Sequence, residues 1–307
     1  MTNKIFEVPH SVVDVILDTD AYNEIDDQFA IAYMLLSPER IRTKAICAAP
    51  FLNQRSTSAA DGMNKSYHEI LKILDLAKRE DIAVDVYRGS ECFMTDETTP
   101  VASDAASHMA AEAEKHSREN PLYIVAIGAI TNVASAILLN KKAMCENTVV
   151  VWLGGNAMHW RDNREFNCSQ DIAAARVVFG SGVPLVQLPC CGVVDAFRTT
   201  EYELKHWLSG KNALADYLVE NTVKEAESYA SGKPWSRCIW DVTAVAWLLN
   251  DNERFMTGYM IPRPIPQYDN RYSFDPRNKP MLYIDHIRRD PLFCDLFTKL
   301  SGFDCRN

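Results

Sequence analysis

Four aspartates lie within ten residues near the N-terminus, in the run DTDAYNEIDD at residues 18–27. Asp18 and Asp20 follow an apolar run, and they share one side of a strand end because side chains there alternate. Asp26 and Asp27 fall in the first turn of the next helix, where the helix dipole favours carboxylates. Carboxylates that converge in this way repel one another unless a cation lies among them, and hard oxygen ligands suit Ca²⁺ or Mg²⁺. The run therefore predicts a divalent-metal site.

Two other kinds of site share part of this pattern. A haloacid-dehalogenase phosphatase would use Asp18 as a covalent nucleophile with Mg²⁺, but the fifth position of that motif is usually Thr or Val and here is Tyr22. An EF-hand loop beginning at Asp18 would need Gly and Glu at positions that are Asn23 and Phe29. A helix cap with solvated neighbours explains one aspartate more readily than two pairs. The phosphatase stays open as an alternative function.

Short apolar strands alternate with helical stretches over the first two thirds of the chain. Such strands with helical crossovers are typical of a parallel sheet covered on both faces, where chemistry collects at the carboxyl ends of the strands. We predict an α/β fold with a mostly parallel central sheet flanked by helices, Rossmann-like, and a mainly helical C-terminal part. Predicted strands are residues 12–17, 41–48, 84–87, 122–127, 148–153 and 184–188, and predicted helices include 26–36, 61–79, 201–208, 213–229 and 237–249.

The composition excludes several classes of protein. The chain has 307 residues, 47% of them hydrophobic, and contains no linker, low-complexity tract or repeat, so one domain over residues 1–307 is predicted. A net charge of −9 argues against nucleic acid and anionic membranes as partners. The most apolar window, residues 121–139, has Gly128, Thr131 and Asn132 where a strand would turn into a helix, so no membrane span is predicted.

Cysteine usage and the N-terminal segment favour a cytoplasmic location. The nine cysteines include no CxxC pair, so neither a disulfide scaffold nor a zinc site is predicted. The first ten residues lack the sustained apolar stretch of a signal peptide. Reduced thiols are typical of a cytosol.

Four segments, in order, resemble the nucleoside hydrolase family. VILDTDAYNEIDDQFAIAYML (residues 15–35) is similar to the family's opening strand, Asp-Thr-Asp, turn and Asp-Asp before a helix, with about two extra residues in the turn. IVAIGAITNVASAI (124–137) resembles its strand-Gly-x-Leu-Thr-Asn segment, and residues 150–179 resemble its Gly-Gly…Glu-Phe-Asn…Asp-x-x-Ala-Ala segment. WDVTAVAWLL (240–249) matches a late helix whose first aspartate binds metal. The resemblance covers roughly residues 12–250 and implies hydrolysis of ribonucleosides.

The resemblance implies a calcium site. Asp20, Asp27 and Asp241 would hold the Ca²⁺, with the backbone carbonyl of Ile127 as a further ligand. Asp18 would then orient its neighbours from behind the ligands.

The same resemblance assigns the reacting groups. Asp26 matches the general base, which takes a proton from the attacking water while the ion lowers that water's pKa. Glu165 and Asn167 match residues that grip the ribose hydroxyls, and Asn163 is a third candidate. The family often has Gly-Asn after the second strand, where this chain has Pro50 in place of the Asn, so Asn23 is expected to substitute, or else Asn53.

The residues that help the base to depart are the hardest to identify from the sequence. Pyrimidine-accepting members have a His immediately before the late metal aspartate, whereas this chain has Trp240, as in the purine-selective branch. Trp240 would stack on the base, which predicts purine preference and a role in purine salvage. His159 and Tyr229 are the other candidates for contacts with the leaving group.

Partners and rival functions follow from the same residues. The resemblance implies a small nucleoside substrate and a homo-oligomer, dimer or tetramer. A non-catalytic nucleoside- or sugar-binding protein with a structural Ca²⁺ is the second rival. Asp26 speaks against it, because a binding protein has no need of an unliganded carboxylate beside the metal.

Overall fold

An eight-stranded sheet forms the centre of the protein, whose computed structural model describes residues 4–79 and 85–302. Across the sheet the strand order is β3-β2-β1-β4-β5-β6-β12-β9, and every neighbouring pair is parallel except β12 with β9. The strands are β1 Val13–Thr19, β2 Ile41–Ala48, β3 Val86–Arg88, β4 Leu122–Ala126, β5 Thr148–Leu153, β6 Leu185–Leu188, β7 Arg198–Thr199, β8 Arg237–Cys238, β9 Met256–Pro262, β10 Ile265–Pro266, β11 Tyr272–Ser273 and β12 Pro280–Ile287.

Helices cover both faces of this sheet. Val15 and Leu17 of β1 belong to one apolar cluster and Ile16 to the other, because successive side chains of a strand point to opposite faces. No helix in the described ranges combines the length and apolarity needed to cross a membrane. The helices are α1 Asp27–Leu35, α2 Ala59–Leu76, α3 Asp104–Ala113, α4 Thr131–Leu139, α5 Lys141–Asn147, α6 Phe166–Gln170, α7 Ile172–Ser181, α8 Glu201–Leu208, α9 Ala213–Ala230, α10 Val242–Trp247 and α11 Arg289–Gly302.

The predicted parallel sheet is confirmed. Strands β2 and β5 and helix α8 have the predicted bounds. The predicted strand at 84–87 is observed from Val86, while Val84 lies outside the described residues.

The C-terminal part is helical as predicted, but it also adds strands to the sheet. The predicted helix at 237–249 was wrong at its start, because Arg237 and Cys238 pair with β7 as strand β8 and α10 begins only after Asp241. Strands β9 and β12 were not predicted. The edge strand β9 is only partly buried, so its sequence lacks the continuous apolar run of the central strands.

Asn132, on the first turn of α4, ties the carboxyl ends of β1, β2 and β3 together. Its side-chain nitrogen donates to Asp18 Oδ1 at 2.8 Å and to the carbonyl of Ala48 at 3.2 Å. Its side-chain oxygen accepts from the backbone N–H and the hydroxyl of Ser90, both at 2.8 Å. Asn132 is fully buried, so water is not available to replace its amide as a partner of these groups.

We expect Asn132→Ala to lower the free energy of unfolding by about 3 kcal/mol, because the substitution removes a hydrogen-bond partner from a buried carboxylate and from a buried N–H. Urea denaturation of both proteins measures the difference. Asn140→Ala is the matched control. Asn140 caps the more exposed α5, and its removal should cost about 1 kcal/mol. Equal losses in the two variants would contradict the role assigned to Asn132.

Candidate active site

A cavity of about 230 Å³ opens at the carboxyl ends of the central strands. Asp20 follows β1, Ile127 follows β4, Leu153 ends β5 and Cys190 lies just beyond β6. This is the edge of the sheet at which the sequence predicted chemistry. The cavity is lined by Asp20, Asn23, Glu24, Asp26, Asp27, Ile127, Leu153, Arg164, Glu165, Phe166, Asn167, Cys190, Cys191, Trp240 and Asp241.

Four buried carboxylates face this cavity. Oxygen atoms of Asp26, Asp27 and Asp241 all lie within 4.8 Å of one another. Asp20 lines the same wall without belonging to that trio. The Oδ2 atom of Asp20 and the Oδ1 atom of Asp26 have no hydrogen-bond partner among the described residues. A buried carboxylate oxygen without a partner is costly, so the arrangement requires either protons or a cation.

Burial is the largest influence on the pKa of each of these carboxyls. It raises the pKa of Asp27 to about 6, although the hydrogen bond from Thr19 opposes the rise. It also raises the pKa of Asp241 well above the usual range, and the charges of Asp26 and Asp27 add to the effect. Burial and then the charge of Asp27 raise the pKa of Asp20. A divalent cation would reverse this tendency to hold protons.

The donor set fits a hard divalent cation. Its atoms are carboxylate oxygens together with the carbonyl of Ile127, which accepts one hydrogen bond from Asn167 at 3.2 Å and so keeps a second lone pair. A Cβ at Gly128 would lie 2.9 Å from Asp20 Oδ1, so glycine leaves room for that carboxylate. Burial raises the pKa of the Cys190 thiol, which therefore stays protonated and is a poor ligand for a soft metal. Asp20, Asp27, Asp241 and Ile127 all line the cavity, as the predicted ligand set requires.

Asp18 lies behind this wall and not in it. It is completely buried and is not among the cavity residues. Its Oδ1 accepts from Asn132, and burial raises its pKa to about 7. The adjacent Thr19 hydroxyl donates to Asp27 Oδ1 at 2.5 Å. The end of β1 thus supports the carboxylates from behind.

Glu165 and Asn167 line the cavity from the start of α6. Glu165 caps α6, and its carboxylate accepts from the backbone N–H groups of Gly155, Asn167 and Cys168 at 2.8–2.9 Å. Burial raises the pKa of Glu165, and these three N–H donors oppose the rise. The amide nitrogen of Asn167 donates to the carbonyls of Ile127 and Leu153. Both residues line the cavity, and both also fix the loop that carries them.

Asn163, the third predicted ribose contact, is not among the residues that line the cavity. Its side-chain oxygen accepts from the N–H of Asn156 at 2.7 Å, and its nitrogen donates to Cys168 Sγ. Both ends of the amide are therefore engaged in holding the loop. His159 and Tyr229 are exposed and line no part of the cavity either.

Asn23 and Trp240 line the cavity as predicted. Asn53 donates to Asn23 Oδ1 at 2.6 Å, so it supports Asn23 from outside the cavity instead of replacing it. Pro50 is buried and is not a cavity residue. Trp240 is partly buried, with one part against the apolar core and another at the cavity wall.

Several lining residues were missed by the sequence analysis. Glu24 lines the cavity and pairs with Arg237. Burial and then the charge of Glu24 raise the pKa of Asp26, and the charge of Arg237 opposes this rise. Arg164 and Cys191 also line the cavity. Glu24 lies within the acidic run at residues 18–27, and Arg164 directly precedes Glu165, so the sequence carried a signal for both positions. The position of Cys191 depends on the folding of distant segments.

Comparison with known proteins places this chain in one family. The profile of the inosine-uridine preferring nucleoside hydrolases matches residues 15–274. The pyrimidine-specific ribonucleoside hydrolase RihA of Salmonella arizonae is 31% identical over 194 residues, which are 56% of this chain and 58% of RihA. The matched region is thus little more than half the length of this curated relative.

Solved structures share the architecture at low identity. A purine-preferring ribonucleoside hydrolase from Gardnerella vaginalis superposes with a TM-score of 0.74 at 20% identity, covering 94% of this chain and 98% of that one. An inosine-uridine preferring nucleoside hydrolase from Bacillus anthracis gives 0.70 at 13% identity, covering 94% and 99%. These likenesses concern the fold. The profile match over most of the chain confirms the resemblance carried by the four motifs, and this chain belongs to the inosine-uridine preferring nucleoside hydrolase family.

Proposed function

We propose that this protein is a Ca²⁺-dependent ribonucleoside hydrolase that cleaves the N-glycosidic bond with water and prefers purine nucleosides. The observation that carries the proposal is the convergence of four buried carboxylates, from residues 20–27 and from Asp241, on one cavity. Membership of the family supplies the reaction class.

The two rival functions fit the geometry less well. A phosphatase would need the Asp18 carboxylate exposed to substrate, whereas Asp18 is fully buried, bonded to Asn132 and outside the cavity. A binding protein would not need Asp26, whose side chain caps nothing although it stands at the N-cap of α1. Assays of free base, reducing sugar and phosphate, with inosine, uridine and a phosphomonoester as substrates, separate the three functions.

Cleavage of an N-glycoside passes through a ribosyl cation, so the site must activate water, hold the sugar and let the base depart. Asp20, Asp27, Asp241 and the Ile127 carbonyl would hold the Ca²⁺, which when bound supplies charge that acidifies water and attracts the ribose diol. Asp26 accepts the proton of the attacking water.

The ribose is held on its other side by Glu165 and Asn167. The amide nitrogen of Asn167 is turned to two carbonyls, so its oxygen remains to accept from a sugar hydroxyl. The carboxylate of Glu165 already accepts three backbone N–H groups, which fix its position before substrate arrives. Fixed groups of this kind reduce the entropy lost on binding.

Protein purified without added metal should contain one Ca²⁺ per chain. Elemental analysis tests this, and added Ca²⁺ should raise the melting temperature of the chelated protein, because an ion that binds only the native state stabilises it. Asp241→Asn should lose both effects. Asp104→Asn, which changes an exposed acid at the start of α3, should keep them. Zinc at the site, or full activity without metal, would refute the proposal.

Asp26→Asn should lower kcat by about a hundredfold or more, which is the usual contribution of a general base. The change preserves size, so bound Ca²⁺ and the melting temperature should be retained. Steady-state kinetics with metal analysis on the same samples measures both. A folded, calcium-loaded variant with nearly normal turnover would move the base to another residue.

Trp240→Ala should lower kcat/KM for inosine by about tenfold while affecting uridine less. Stacking of a base on an aromatic ring contributes roughly 1–3 kcal/mol, and a purine offers the larger face. Trp207→Ala, at an exposed position on α8, is the control. If uridine is the better substrate of the wild type, or if the purine/pyrimidine ratio is unchanged in Trp240→Ala, then Trp240 serves only in packing.

A further inference from the structure

A chain of alternating charges anchors the turn between β1 and α1. Glu24 of this turn pairs with Arg237 of β8, and an oxygen of Glu225 on α9 lies 3.7 Å from the same guanidinium group. Glu225 also pairs with Arg55, on the loop after β2. The side chains of Arg237 and Glu225 are 16% and 14% exposed, so water screens these pairs less than it screens pairs at the surface. The charges therefore hold the loop after β2 beside the turn.

Two amide side chains lead back from the loop after β2 to the turn. The backbone N–H of Arg55 donates to Asn53 Oδ1 at 2.8 Å, and Asn53 Nδ2 donates to Asn23 Oδ1 at 2.6 Å. The backbone of Asn53 is itself fixed, because its N–H donates to the hydroxyl of Ser56 at 3.3 Å and its carbonyl accepts from the N–H of Ser56 at 3.1 Å. Since Asn23 and Glu24 are neighbours in the chain, the contacts form a closed ring.

The ring determines which way the amide of Asn23 is turned. A backbone N–H can only donate, so the Asn53 atom that faces Arg55 is its oxygen and the atom that faces Asn23 is its nitrogen. Asn23 must then accept with its oxygen, which leaves its nitrogen for another partner. That nitrogen has no hydrogen-bond partner among the described residues and is not completely sealed from solvent. Asn23 is 8% exposed and lines the cavity, so the cavity is where this donor is accessible.

Side-chain N–H donors are scarce in this cavity. Six lining residues are acidic, and an ionised carboxylate only accepts hydrogen bonds. The amide nitrogen of Asn167 is engaged by two carbonyls, so that residue too offers an acceptor. Among the buried residues described along the cavity, Asn23 is the one with an unengaged side-chain N–H. A sugar hydroxyl both donates and accepts, so a pocket with acceptors alone would leave its oxygen without a donor.

We propose that Asn53 is a positioning residue that holds Asn23 as a hydrogen-bond donor to a hydroxyl oxygen of the bound ribose. This inference deepens the proposed hydrolase function and rests on it. Asn53 is not among the cavity residues, so it acts on the sugar through Asn23. The charges of the ring keep the loop that carries Asn53 beside the turn, and the amides of the ring set the direction of the donor.

Asn53→Asp tests this role, because a carboxylate can still accept from the N–H of Arg55 but cannot donate to Asn23. The amide of Asn23 should then turn and present its oxygen to the sugar. We expect the dissociation constant of D-ribose, measured by titration calorimetry of the calcium-loaded protein, to rise about tenfold, with a similar fall in kcat/KM for inosine. Asn53→Ala, which releases Asn23 without reversing it, should have a smaller effect. Asn120→Asp adds the same charge at an exposed position just before β4, and should change neither value.

A double variant separates the reversal of Asn23 from the added charge. In the Asn23→Ala background, Asn53→Asp should weaken ribose binding by less than about twofold further, because its effect passes through Asn23. A full tenfold loss in that background, or unchanged ribose binding in either single variant, would overturn the inference, while release of hypoxanthine from inosine would leave the hydrolase proposal standing. Release of no base by the wild type would overturn the hydrolase proposal, and ribose binding would still decide the role of Asn53.

Discussion

Mutual repulsion of buried carboxylates is the constraint on which the rest of this structure depends. Asp20, Asp26, Asp27 and Asp241 have been removed from water at a cost that each would avoid at the surface. Hydrogen bonds compensate part of it, as with Thr19 and Asp27, but two oxygens keep no partner among the described residues. Such a group is stable with a cation at its centre. A cation bound among these carboxylates would therefore stabilise the fold as well as serve the proposed chemistry.

The architecture brings these groups together from a short run and one remote helix. The parallel order of β1, β4, β5 and β6 sets their carboxyl ends side by side, so the cavity has a floor of strand ends. Helices α1 and α10 start beside that floor, and both contact each other along the core. Their N-terminal dipoles favour the carboxylates of Asp27 and Asp241. Asn132 supports this arrangement through its hydrogen bond to Asp18.

Sequence patterns predicted the elements and the acidic wall because both depend on local order: apolar runs for the strands, and a strand–helix turn for Asp20 to Asp27. They failed where pairing was remote. Cys238 is a strand residue because it pairs with β7, which lies about forty residues earlier in the chain. Asn163 is a predicted ribose contact by its place in a motif, and in the structure its amide bonds to Asn156 and Cys168. A motif position fixes a residue's neighbourhood, while the direction of its side chain depends on the packing around it.

The buried carboxylates at the floor of the cavity and the loop residues at its rim are under different structural constraints. The floor must satisfy several carboxylates at once, so few substitutions are compatible with it. The rim includes Trp240, Arg164 and Asn23 on loops, where one side chain can change without disturbing the carboxylates. Solved structures named for purine preference and for inosine-uridine preference share this fold. Under the proposed function, the residues at the rim, and not the shared fold, are therefore expected to determine which base is accepted.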